Sequence, residues 1–204
     1  MAKKVDKTQR RKDIVQAAMD LFAHQGFEAT SISQVAAAAG IGKATVFEYF
    51  ASKEELIQFA VAHWLEGWME SLDASVAAIE DPEERLRTYA ISSMSGFLDD
   101  PQALKVMLSL WQLAVQGGLE SLMQSPELWS VWQHAQDSIS GAVRDGVSQG
   151  RFRPEFADQA DAIALNLMVY LDGIGMYHLM LGKQIDVLGQ VRLHVDLLLA
   201  SLRA

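Results

Sequence analysis

Residues able to do chemistry are few and scattered in this chain. Cys is absent, which excludes disulfides, thiolate-bound metals and a Cys nucleophile. The histidines, His24, His63, His134, His178 and His194, stand at no metal-ligand spacing. No Glu-x-x-His pair of a di-iron bundle occurs, and no phosphate loop, dinucleotide fingerprint or His-Glu-x-x-His motif. An enzyme, a metal site and a bound cofactor are therefore not expected. What remains is a group suited to holding a polyanion. Ser31 and Ser33 open one short helix, where hydroxyls and free N–H groups can hold a phosphate, and Lys43, Ala44 and Thr45 open the next.

The net charge of −9 argues against nucleic acid, but its distribution reverses that reading. Residues 1–53 carry eight Lys and Arg (Lys3, Lys4, Lys7, Arg10, Arg11, Lys12, Lys43, Lys53) against five acids, whereas the remainder carries nine against 21. A basic head on an acidic body suits a nucleic-acid module joined to a solvated regulatory domain. The N-terminus leads into no apolar h-region, and the longest apolar stretches are too short and interrupted for a membrane span, so a cytoplasmic protein without a membrane partner is expected.

The elements that must position these residues are helices. Ile14, Ala17, Ala18, Leu21 and Phe22 recur at helical spacing, and Gly26 ends that helix. Asp81-Pro82, Asp100-Pro101 and Ser125-Pro126 each place an N-cap residue before a proline in the first turn. Ser52-Lys53-Glu54-Glu55 is a capping box that opens a long helix. The pattern predicts an all-α chain of about nine helices, at 8–25, 32–39, 43–49, 53–78, 82–98, 101–118, 126–149, 157–181 and 187–202. Residues 1–53 are expected to form a three-helix head, and residues 54–204 a larger helical domain.

Thr30 to Phe50 reads as a helix-turn-helix. Ala36 is small enough for two helices to cross closely, and Gly40 tolerates the positive φ of a sharp turn. Ile32, Val35, Ile41, Val46 and Phe50 anchor the pair against the first helix. The second helix is short and offers its N-terminal half to a groove, as recognition helices do.

With its flanks, this stretch resembles the N-terminal domain of the TetR family. The resemblance runs from Thr8 to Val61 through Ala17-Ala18, Gly26-Phe27, Thr30, Val35-Ala36, Ala39-Gly40-Ile41, Lys43, Thr45-Val46-Phe47, Tyr49-Phe50 and Ser52-Lys53-Glu54-Glu55-Leu56. It implies DNA-facing roles for Ser31, Ser33, Gln34, Gly42, Lys43, Ala44, Thr45, Phe47, Tyr49 and Lys53. Lys43 and Lys53 would contact phosphate, with Gln34 and Thr45 near base edges. Two positions depart from the family pattern. Phe47 stands where Tyr is usual and lacks the hydroxyl that reaches a phosphate, and Ala44 replaces a common Gly. Glu48 either accepts from a cytosine amine or points to solvent.

The larger domain holds all five Trp. Trp64 and Trp68 are i, i+4 neighbours and Trp129 and Trp132 are i, i+3, so each pair can share a face. Aromatic and Met walls suit either an ordinary core or an adaptable apolar pocket. The TetR resemblance favours the pocket, with His63, Trp64, Phe97, Met107, Trp111, Trp132, Met168 and Asp172 as candidate lining. Gly150-Arg151-Phe152-Arg153-Pro154, Leu171-Asp172-Gly173 and Leu181-Gly182 resemble choline-responsive TetR-type regulators. A quaternary ammonium held by Trp, with Asp172 or Glu70 as counter-charge, and a neutral hydrophobic effector both remain open. The last two helices are expected to form a homodimer through residues 157–202, along Ile163, Leu167, Leu171, Ile174 and His178 and along Leu188, Val191, Val195, Leu198 and Leu202. The reading is a ligand-responsive repressor released from a palindromic operator. An activator of the same fold and a ligand-independent DNA-binding protein stand as alternatives.

Overall fold

The computed structural model describes residues 7–100 and 125–204, with Ala103 and Val106. Among the described residues the chain forms eight α-helices: α1 (Lys7–Ala29), α2 (Ile32–Ala38), α3 (Lys43–Phe47), α4 (Lys53–Val76), α5 (Pro82–Asp99), α6 (Pro126–Ser148), α7 (Ala160–Leu181) and α8 (Val187–Leu202). The only extended pairing among them is an isolated antiparallel bridge between Phe152 and Arg203. The helix expected at 101–118 lies outside the described residues, as do Met107 and Trp111.

Local chemistry sets the helix ends. Gly26 breaks α1 with φ 81° and ψ 168°, where the sequence predicts its end. Asp81 caps α5 by accepting from the Glu83 and Glu84 N–H groups at 2.9 and 3.4 Å. Asp186 caps α8 by accepting from the Gly189 N–H at 2.9 Å. Helix α7 starts at Ala160, later than the expected 157, because Pro154–Phe156 forms a separate 3₁₀ turn.

The chain divides into two compact units, residues 1–66 with 102–129 and residues 67–101 with 130–204. In the first, Ile14, Ala18, Phe22 and Phe27 of α1 meet Val35 and Ala36 of α2, Val46, Phe50, and Leu56 and Ala60 of α4. Phe22 and Phe27 meet edge to face with centroids 4.8 Å apart. Val106 and Leu128 complete this core.

In the second unit α8 packs on α5, and both contact α7. A clasp closes the C-terminus. The Arg153 N–H donates to the Leu202 carbonyl at 2.9 Å and the Ala204 N–H to the Arg151 carbonyl at 3.0 Å. Arg203 reaches Glu83 at the start of α5, 2.6 Å away, and these hydrogen bonds hold the Glu83 carboxyl below its ordinary pKa. Beneath the clasp Phe152 is 1% exposed.

Helix α7 is long and apolar enough, by length and composition, to cross a membrane. Its inner face (Ala160, Ala164, Leu167, Leu171 and Gly175) is nevertheless buried in this unit. That burial corrects the expected dimer stripes. Leu167, Leu171, Val191, Val195 and Leu202 are core residues of their own chain. The large apolar side chains left open are Leu165, Val169, Tyr177, Met180 and Leu181 on α7 and Leu193 and Leu197 on α8.

Gly146 of α6 tests this packing, since a Cβ there would stand 2.1 Å from the Phe152 ring. Gly146→Ala is expected to destabilise the protein by about 1–3 kcal/mol, as overpacking does. Gly141→Ala, with nothing within 4 Å of its Cβ position, is expected to be neutral or stabilising by up to about 1 kcal/mol. Urea unfolding of the two variants distinguishes them, and equal midpoints would show that Phe152 can yield.

Candidate DNA-binding interface and sensing residues

The turn between α2 and α3 is built as its sequence requires. Gly40 has φ 66°. The Gly40 and Ile41 N–H groups donate to the Ala37 and Ala36 carbonyls at 3.2 and 2.9 Å, closing the end of α2. Ala36 is 3% exposed at the crossing. Val46 and Phe50 point into the core, so Gly42, Lys43, Ala44, Phe47 and Glu48 are exposed and Thr45 is half-buried. The Lys43 ammonium lies 6.0 Å from the centroid of the Phe47 ring.

Ser31 and Gln34 are engaged with each other. The Ser31 hydroxyl accepts from the Gln34 N–H at 3.3 Å, and Gln34 Oε1 accepts from the Ser31 N–H and hydroxyl at 2.8 and 2.9 Å. This reciprocal box caps α2 and leaves the Gln34 amide nitrogen outside it. Ser33 is exposed on the same first turn, and Tyr49 packs partly against the core.

Two cations of the basic head are turned to structural work. Lys53 donates to the Glu28 carbonyl at 3.1 Å, tying the start of α4 to the end of α1. Arg11 lies 3.7 Å from the Phe59 ring centroid and 5.0 Å from that of Phe50, with Glu55 at 4.0 Å. In the sequence Arg11 counts only as one charge of the basic head, because nothing in its local pattern announces a partner nearly fifty residues away.

The candidate sensing residues divide between the units. In the second, Phe97 of α5 lies against Gly175 of α7, its ring 3.2 Å from where a Cβ would stand. Met168 packs at the edge of the same cluster. Asp172, four residues on from Met168 and three before Gly175, shares their flank of α7. Asp172 is exposed as a residue, yet the protein atoms around its carboxyl desolvate it and raise its pKa to about 6. Trp132 is half-buried in this unit. His63 and Trp64 belong to the first unit, His63 exposed 3.6 Å from Glu66 and Trp64 packed against that unit's core. The sequence reading passed over Trp68, whose indole nitrogen stands 3.3 Å from the Cβ position of Gly96, one residue before Phe97. The i, i+4 pairing with Trp64 was its visible signal.

Gly146-Val147-Ser148-Gln149-Gly150 has the spacing of a hydrolase nucleophile elbow, but an elbow needs a strand entering a helix. Here the segment ends α6, and the Ser148 hydroxyl donates to the Asp145 carbonyl at 2.9 Å.

Comparison with known proteins agrees with this geometry. Residues 14–59 match the family described as bacterial regulatory proteins, tetR family. The HTH-type transcriptional regulator BetI of Burkholderia lata is 24% identical over 196 residues, 94% of this chain and 95% of its own. A TetR transcription regulator from Haloarcula marismortui superposes with a TM-score of 0.76 at 18% identity, over 97% of this chain and all (100%) of its own. The regulator FadR from Bacillus subtilis, solved in complex with stearoyl-CoA, does so with a TM-score of 0.73 at 16% identity, over 94% and 99%. Residues 14–59 are thus a helix-turn-helix domain of the tetR family, joined to a larger all-helical remainder whose fold is that of solved TetR regulators.

Proposed function

We propose that this regulator is a homodimeric repressor that leaves a palindromic operator when a small hydrophobic or amphipathic effector binds its larger domain. The observation that carries the reading is the capped α2–α3 pair, which fixes a buried apolar face and turns Lys43 and Ala44 outward, with Thr45 half-buried next to them in the chain. Lys43 holds phosphate and Thr45 meets base edges. Ser31, Ser33, Gln34, Gly42, Tyr49 and Lys53 support the approach, Lys53 from a position already fixed by the Glu28 carbonyl.

The effector's contacts are assigned to the second unit, beside Phe97, Met168, Trp132 and Asp172, with Trp68 of α4 added. Helix α4 begins at the Ser52 cap and continues unbroken to Val76. Near its end Asp73 meets His134 of α6 at 2.7 Å. A ligand that repacks this neighbourhood displaces α4 and acts only through its different affinity for the DNA-competent and released states. The second copy is assigned to the open apolar faces of α7 and α8. Two copies that read a palindrome need their recognition helices about 34–36 Å apart, one DNA turn.

Selection from random duplex DNA with the purified full chain tests the reading, and recovery of a palindrome is the expected result. Lys43→Ala should then weaken binding to all sequences and lower the salt slope by about two, about one for each protomer. Thr45→Ala should relax preference at one base pair, and identical behaviour of the two variants would overturn the assigned roles. Leu197→Glu, a charge on a side chain 62% exposed, is expected to yield monomer in sedimentation at micromolar concentration, whereas an intact dimer would move the interface elsewhere. Asp172 supplies a pH test. Its folded pKa of about 6 lies above the ordinary 3.8, so the folded state favours the neutral acid and stability is lost as pH rises through this window. Asp172→Asn should therefore match the parent in acid and gain thermal stability relative to it above pH 6. A difference in midpoint that is flat with pH would place the carboxyl in an ordinary solvated setting.

A further inference from the structure

We propose that Phe47 is a sequence-reading residue, one that recognises the 5-methyl group of a thymine in the major groove of each operator half-site. The inference rests on the DNA-binding reading above and adds a base to it. Phe47 is 46% exposed, while its neighbours Val46 and Phe50 are 0% and 1% exposed in the core. A single exposed apolar side chain is ordinary on a protein surface. Phe47 differs because it stands on the helix that enters the groove, beside Lys43, and on the same exposed face as Ala44 three residues before it. Ala44 and Phe47 thus form an apolar strip between the Lys43 ammonium and the Glu48 carboxylate.

The edges of bases exposed in the major groove present donors and acceptors, and their one apolar group is the thymine methyl. A phenyl ring has no hydroxyl to offer a phosphate. Set against a donor or acceptor it would desolvate that group without replacing its hydrogen bond. Set against a methyl it removes apolar surface from water on both sides. The Lys43 ammonium, 6.0 Å from the ring centroid, can reach a backbone phosphate while the ring lies over the base edge.

The test uses the full-length protein and the duplex it selects from random DNA, with each thymine replaced singly by deoxyuridine, which removes only the methyl group. At the position under Phe47, wild type should lose about fourfold in affinity, the worth of one buried carbon. Phe47→Ala should bind the thymine and uracil duplexes equally there. Phe47→Tyr should keep the discrimination, because its ring is retained. An exposed side chain makes folding of both variants a simple control by circular dichroism. A selected duplex in which no uracil replacement matters, or in which Phe47→Ala discriminates as wild type does, overturns the role of Phe47 while the regulator reading stands. A selection that enriches no duplex overturns both.

Discussion

The DNA-binding unit depends on one backbone conformation, the left-handed turn at Gly40. With φ at 66°, Gly40 lets the chain reverse within two residues of α2 and drop Ile41 back toward the core. A side chain there would add about 1 kcal/mol of backbone strain even though the space around it is open. Helix α3 has only five residues, far too few to be stable alone. Its direction is therefore set from below, by Val46 and Phe50 in the core and by the Gly40 turn behind it. The exposed residues need no partners of their own to be held in place, which leaves their chemistry available to DNA.

Electrostatics adds to this frame less simply than the charge count suggests. Arg11 spends its guanidinium on Phe59, Phe50 and Glu55, and Lys53 gives one donor to the Glu28 carbonyl. Both cations first stabilise the junction of α1 and α4, and only what remains faces outward. At physiological salt, charges separated by more than about 8 Å are largely screened. An acid farther than that from Lys43 therefore does little to weaken the contacts Lys43 makes.

The local signals in the sequence carried most of the fold. Proline after Asp81 and Ser125, the Ser52 cap, Gly26 and Gly40 each act within one turn, and each appears where its chemistry requires. Contacts between distant residues were the unreadable part. The ring contacts of Arg11, the Phe97–Gly175 contact and the clasp of Arg203 on Glu83 join segments 39 to 120 residues apart, and nothing in the local pattern of either partner encodes the other. The candidate sensing residues divide between the units for the same reason. Trp64 and Trp68 look equivalent as an i, i+4 pair, yet the boundary between the two compact units falls between them.

Helix α7 shows where periodicity itself fails. It is apolar nearly all round, so spacing alone cannot say which stripe is core and which is left for a partner. The stripe through Leu167 and Leu171 is taken by the chain's own core, while Val169 and Met180 stay open at 60% and 68% exposure. Gly175, where Phe97 packs, is turned well away from both, by more than a quarter turn at about 100° per residue. An effector beside Phe97 and a second copy on the open stripe would thus load different sides of one helix. Effector binding and dimer geometry would then be coupled through a rigid element even where the two ligands share no contact. The coupling would be reciprocal, so whatever pairing favours the DNA-competent dimer must weaken the effector by the same factor.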